Sequence, residues 1–414
     1  MKKSLIALAA LAAVSAASAQ SSVTLYGVVD IGYGAQRAEG RATATGTPTQ
    51  RSSGVMDGAN AGNRIGFRGT EDLGGGLKAN FVVEQGITPT GNGGSLFGAR
   101  AATAGQQIGT APVGAAATAY GGGFAVVNTA AIPASTALSS STNRQTYLGL
   151  SGGFGTFNIG YQYTNLYELG TLSGYNIGSE GVPGAYSAHL FGNTYAGGTR
   201  ANGLTYISPN MGGFTIRAQY GAGQAGPETN QSTTAAGVAA ETSARRYSLM
   251  AQYANGPLSA ALAYTSNRLT NNPAAAGFGT GRTGNLTQLG ASYDFGVVKL
   301  AGTYNTGRDG GITGVPAGTA AGSTSSFRAY QLGLSAPFGA IVPYITFGRA
   351  YIQADGAAAR TTDIRQAQIG ARYSLSKRTT AYVMYGNTFD NAATVANAAI
   401  YKDSKTVVGV QHSF

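Results

Sequence analysis

Most of this chain alternates apolar and polar residues in segments of about ten, which restricts it to sheets with one apolar and one polar face. Val23, Leu25, Val29, Ile31 and Tyr33 share one parity, and Thr24, Tyr26 and Asp30 the other. Ile65 and Phe67 alternate with Arg64 and Arg68, and Leu77, Ala79, Phe81 and Val83 with Lys78, Asn80 and Glu84. Phe214, Ile216, Ala218 and Tyr220 alternate with Thr215, Arg217 and Gln219. Ala367, Ile369, Ala371 and Tyr373 do so with Gln366, Gln368 and Arg372. Short turns at 71–76, 152–155, 210–213, 255–257, 294–296 and 337–339 join these segments in pairs. Between pairs lie long Gly/Ala/Ser/Thr-rich stretches near 34–62, 87–142, 164–199, 222–243, 268–284, 307–325, 352–364 and 389–404. Strict alternation of short and long connections is the signature of an antiparallel barrel whose two rims face different compartments. Sixteen strands can be counted, from about 23–33 to about 405–414.

Where the apolar face points depends on composition. Only 10% of the residues are charged, against about a quarter in a soluble domain. The chain has no Cys, so no disulfides staple its loops. Residues 1–19 read as a cleaved secretory leader: Lys2 and Lys3 start it, Leu5 to Val14 form a short apolar run, and Ala17-Ser18-Ala19 offers the small-residue cleavage site. That run is shorter than the roughly 20 residues a membrane-spanning helix needs. Every later apolar run is broken within a few residues, so an exported chain of this kind either stays in water or spans lipid as a closed barrel. The expectation is all-β: a 16-stranded antiparallel transmembrane β-barrel over 20–414, with apolar residues facing lipid and polar residues lining water. Its turns are short and periplasmic and its loops long and external, with an enlarged external loop at about 101–142. The 24 Tyr and 15 Phe cluster near strand ends, as at Tyr161, Tyr163, Tyr382, Tyr385 and Phe414, where aromatic rings suit a membrane interface.

Loss of Lys2 and Lys3 lowers the net charge from +11 to +9. The basic residues are scattered, with Arg245-Arg246 and Lys377-Arg378 the only adjacent pairs of the mature chain. Scattered charge with an export signal argues against nucleic acid as a partner. It suits a pore interior or a surface facing anionic lipopolysaccharide and outer-membrane lipid.

Several phrases resemble the general porins of Gram-negative bacteria, of the neisserial and betaproteobacterial branch. They are Ser22-Val-Thr-Leu-Tyr-Gly27, Asn63-Arg-Ile-Gly-Phe-Arg-Gly-Thr-Glu-Asp-Leu-Gly74, Arg144-Gln-Thr-Tyr-Leu-Gly-Leu-Ser151, Leu375-Ser-Lys-Arg-Thr379 and Val408-Gly-Val-Gln-His-Ser-Phe414. The resemblance implies a homotrimer in the outer membrane that passes small hydrophilic solutes and inorganic ions. It also implies a third external loop, about 164–199, folded into the pore. Wall arginines would face loop carboxylates there: Arg64, Arg144 and Arg200, with Arg68 and Lys78 as further basic candidates, opposite Glu168 and Glu180. By parity with Leu148 and Leu150, Arg144 would point outward unless a bulge intervenes. Tyr161 stands where the family pattern leads one to expect Arg, which weakens the basic wall. Phe414 looks like the signal read by the outer-membrane assembly machinery.

Other chemistry finds little support. Gly149-Leu-Ser151-Gly-Gly153 matches a nucleophile-elbow string, but it sits between two strands, and the only histidines are His189 and His412. Gly221–Gly226 and Gly279–Gly284 match dinucleotide strings without opening a helix. No catalytic residue, metal site or cofactor is expected; Glu71-Asp72 is read as a solvated turn pair. The alternatives are a substrate-specific outer-membrane channel, with a track along Tyr167, Tyr175, Tyr186 and Phe191, and a surface adhesin with host-binding loops.

Overall fold

The computed structural model describes residues 22–40, 49–90, 144–171, 177–179, 182, 184, 200–222, 229–231, 240–270, 282–309, 325–354, 362–390 and 400–414. Its strands are β1 (Ser22–Gly40), β2 (Thr49–Asp57), β3 (Arg64–Gly74), β4 (Leu77–Gly86), β5 (Gln145–Gly152), β6 (Gly155–Tyr163), β7 (Arg200–Ile207), β8 (Phe214–Ala222) and β9 (Thr229–Gln231). They continue with β10 (Ala240–Asn255), β11 (Leu258–Thr270), β12 (Arg282–Asp294), β13 (Lys299–Asp309), β14 (Ser325–Ser335), β15 (Ile341–Ala354), β16 (Thr362–Ser374), β17 (Thr379–Asp390) and β18 (Ile400–Ser413). One helix, α1 (Asn165–Thr171), follows β6.

These eighteen segments make sixteen barrel strands. Glu39 to Ile31 of β1 pair with β2, and Val28 to Ser22 continue onto β3, so β2 and β3 are one wall strand interrupted at 58–63. In the same way β8 and β9 both pair with β10. Every neighbouring pair is antiparallel, and β1 also pairs with β18, closing the cylinder without a free edge. At the seam Gly27 and Phe414 exchange backbone bonds of 3.1 and 3.2 Å. The Phe414 ring lies over Gly27, where a Cβ would collide with it.

The short turns lie at the rim that holds this seam. In the β10–β11 turn, Gly256 takes a φ of 55° between the paired Asn255 and Leu258, a left-handed geometry glycine adopts without strain. At the other rim the first long stretch is shorter than composition implies. Gly34, Ala35 and Gln36 pair with Gly54, Ser53 and Ser52, so β1 and β2 rise through most of 34–62. Small residues look like loop in sequence, but a ladder is made of backbone groups and runs through them.

The outer face is apolar. Val23, Leu148, Ile159, Leu262, Leu289, Leu332, Ile345, Ile369 and Val408 are all exposed on it. Rings gather at both ends of this band. Phe154, Phe157 and Tyr206 lie at the turn end, as do Phe214 with Tyr253 and Tyr293 with Phe295; Tyr220 with Tyr247 and Tyr330 with Phe347 lie nearer the loops. This is the arrangement of a barrel in lipid. Tyr382 is an exception to the rim expectation: it is buried inside, its hydroxyl donating to Asp30 at 2.6 Å. The interior is polar, with Asp30, Glu84, Asn305, Gln331 and Gln368 buried there.

Candidate channel constriction

After Tyr163 the chain leaves the wall and enters the lumen. Asn165 starts α1 with its side-chain amide donating to the Arg217 carbonyl and to Ser248 Oγ, both at 3.1 Å. Leu169 packs on Met250, Ala261 and Ala263 of β10 and β11, and Leu166 is also buried. The third connection touches the wall again at β13–β16. Ile177 rests against Ala301 and Tyr344. Gln368 clamps the segment, accepting the Ser179 N–H at 2.8 Å and donating to the carbonyls of Ser179 and Val182 at 3.2 and 3.0 Å. Arg372 donates to the Ile177 carbonyl at 3.2 Å and to Asn60 Oδ1 at 2.9 Å. Ser179 Oγ donates to the Ala59 carbonyl. The break between β2 and β3 thus has a use: residues 58–63 step inward to meet the crossing segment. Asp30 holds them, accepting the Asn60 and Ala61 N–H groups at 2.6 and 2.7 Å.

Charge collects where this crossing begins. Glu84 on β4 accepts from Arg144 Nε at 2.5 Å and from the Tyr26 hydroxyl at 3.0 Å, and lies 3.7 Å from Arg64 Nε. Arg144 also donates to the Tyr163 hydroxyl at 2.7 Å, as does Arg200 at 3.2 Å. The Arg200 guanidinium stands 4.6 Å over the Tyr163 ring, which stacks on Tyr167 at 4.4 Å. Arg217 of β8 reaches Glu168 of α1 at 3.3 Å and the Tyr163 carbonyl at 3.4 Å. Four guanidiniums and two carboxylates therefore share one sector of wall and loop. Burial pushes the Glu168 carboxyl above its ordinary value, with Arg217 opposing the shift.

Of the residues expected here, Arg64, Arg144, Arg200 and Glu168 come together; Glu180 lies outside the described residues. Glu168 meets Arg217 and not Arg64 or Arg200. Arg144 reaches the cluster despite its parity because it sits in a bend before β5 begins at Gln145. Lys78 falls elsewhere. It pairs with Asp72 at the turn end of the β3–β4 hairpin, whereas Arg64 pairs with Gly86 at the other end, roughly 26 Å away along the strand at about 3.3 Å per residue. Arg68 lies between them, over the Tyr26 ring at 5.2 Å. Tyr161 is half-buried in β6, paired with Thr146 of β5 and Asn202 of β7. Arg217 and Glu84 were legible as polar-face residues but not as members of the cluster.

The string around Ser151 runs from β5 into a two-residue turn and β6, and Ser151 Oγ accepts the Asn80 amide at 2.8 Å. Asp72 caps its own turn by accepting the Gly74 N–H at 2.8 Å.

The family model described as Gram-negative porin matches residues 7–393. The chain belongs to the Gram-negative porin family. Outer membrane porin protein 32 of Delftia acidovorans is 32% identical over 404 residues, covering 94% of this chain and 88% of that protein. An outer membrane porin protein of Bordetella pertussis is 30% identical over 445 residues, covering 100% of both. Among solved structures, the anion-selective porin from Comamonas acidovorans aligns with a TM-score of 0.63 at 25% identity, over 95% of this chain and 100% of that one. This porin is accordingly a channel of the outer membrane, its alternating faces divided between lipid and water.

Proposed function

We propose that this porin passes small hydrophilic solutes and inorganic ions by passive diffusion, with a modest preference for anions, as a homotrimer. The observation that carries the preference is the excess of guanidiniums over carboxylates where α1 meets the wall: Arg64, Arg144, Arg200 and Arg217 against Glu84 and Glu168. Charges on a low-dielectric wall bias which ion enters. The carboxylates and the wet lumen keep the bias small. Residues 1–19 would be removed on export, and the assembly machinery would read Phe414, whose ring covers the closing seam at Gly27. Single-channel recording tests the pore reading: conductance should rise linearly with salt and close in three equal steps. Saturating solute flux would favour a substrate-specific channel instead, and no conductance at all would favour an adhesin. Deleting Phe414 should lower the heat-modifiable folded form in the outer membrane; insertion at the normal level would contradict the assembly role.

A further inference from the structure

The outer face carries arginines of its own, and their positions are unusual. In two ladders one arginine stands directly across from another on this face: Arg37 and Arg51 in β1–β2, and Arg349 and Arg365 in β15–β16. Both pairs lie towards the long connections, beyond the apolar band on the same strands. Residues directly opposite in a sheet have Cβ atoms about 5 Å apart, and like charges there destabilise the pair. Arg37 is paired with Glu39 at 2.7 Å, whereas the Arg349–Arg365 pair is joined by a third arginine, Arg328, on the neighbouring strand.

The β15–β16 pair is the more fully built. Arg349 bonds Asp363 with both nitrogens, at 2.8 and 2.7 Å, and lies 5.7 Å from the Tyr351 ring centre. Arg328 donates to the Tyr351 hydroxyl at 3.4 Å. Among the described residues no carboxylate lies within ion-pair distance of Arg328 or Arg365, and both side chains are exposed. Arg328 and Arg349 thus flank Tyr351, Asp363 pairs with Arg349, and Arg365 stands across the ladder from Arg349. Turnward on the same strands the surface becomes apolar, with Leu332, Ile345, Phe347 and Ile369 exposed. A site with cations above and a hydrocarbon band below fits an amphiphile whose anionic head sits at the loop-side leaflet. Guanidinium forks match phosphate oxygens in pairs.

We propose that Arg328, Arg349 and Arg365 form a binding site for the phosphorylated headgroup of a lipid in the outer leaflet, its acyl chains lying on the band below. The site rests on the outer-membrane placement of this porin, and it names the residues and the headgroup chemistry of the lipid contact. A soluble protein partner would need no apolar band beneath the charges, and a free anion would need none either.

The test uses the full-length porin in detergent, wild type and Arg328→Gln/Arg365→Gln. Each is titrated with diphosphoryl lipid A and with its dephosphorylated form, with bound lipid read by native mass spectrometry. Wild type should bind the phosphorylated form at least about tenfold more tightly, and the double variant should lose about tenfold for that form alone. The lipid-free variant should unfold at the same or a higher temperature, since a repulsive pair has been relieved. Equal binding of both lipids by wild type, unchanged binding by the variant, or displacement of the lipid by millimolar inorganic phosphate would each overturn the proposal. Planar-bilayer conductance of the same samples keeps the two readings apart. Normal conductance in the variant leaves the pore reading standing, whereas absent conductance in wild type counts against the pore and not against this site.

Discussion

The arginines inside this barrel and those outside it occupy the same kind of ladder but are held in opposite ways. Inside, each guanidinium in the α1 sector has a built partner: Glu84 for Arg64 and Arg144, Tyr163 for Arg200, Glu168 for Arg217. Outside, Arg349 and Arg365 stand opposite each other, and of the two only Arg349 pairs with a described carboxylate, Asp363. A charge in the low-dielectric wall of a lumen must be fixed and partly neutralised, or the barrel is destabilised. A charge at the lipid–water boundary can wait for a counter-anion from its surroundings. The difference teaches where stability and selectivity reside: the inner set couples them, and the outer set belongs to the membrane contact.

The largest effect should come from the shared inner carboxylate. Glu84→Ala strands Arg64, Arg144 and the Tyr26 hydroxyl together and should cost about 3 kcal/mol of unfolding free energy in urea. Arg365→Ala outside should cost less than about 0.5 kcal/mol. Equal losses at the two sites would break the comparison. Charge reversal comes next. Two unit charges about 8 Å apart interact by about 2 kcal/mol at an effective dielectric near 20. Arg64→Glu with Arg200→Glu should therefore shift the anion/cation permeability ratio towards cations by more than about tenfold in dilute salt. Arg365→Glu should leave the ratio within about twofold, because it lies across the wall from the lumen.

A smaller effect follows from Glu168. Its carboxyl titrates above the ordinary glutamate range because it is buried. On acidification it loses its charge before an exposed glutamate does, and anion preference should rise there. By the same sign, its contribution to stability is complete below the ordinary range and is lost as pH rises through the raised value. Glu168→Gln should show the raised anion preference already at neutral pH and remove that step from the pH profile. A step of unchanged size in the variant would assign it to another group.

The lipid-facing rows were legible because a period of two survives any register: Val23, Leu25, Phe67, Ile216 and Ile369 are all exposed on the outer face as the alternation requires. The strand count survived for the same reason, although the wall strand made of β2 and β3 is broken inwards at 58–63. Strand ends were less legible, since the Gly and Ser of 34–40 and 49–54 carry no pattern yet pair throughout. The site was legible by residue type and not by height. Arg64 and Lys78 have the same inward parity, and only the β3–β4 register puts one at the cluster and the other at the turn. Arg144 defeated parity because a bend precedes its strand. Arg217 and Glu84 offered no signal beyond their polar face, because their partners lie 49 and 60 residues away in sequence.

The central claim is that the inner guanidiniums outweigh the carboxylates and set the sign of selectivity. The reversal potential of wild-type porin in a potassium chloride gradient tests it most directly, measured in dilute salt and again near 1 M, where the screening length falls to about 3 Å. A potential of the sign given by chloride in excess, shrinking towards zero as salt rises, is expected. A pore that favours potassium in dilute salt would contradict the claim and show that the carboxylates govern entry.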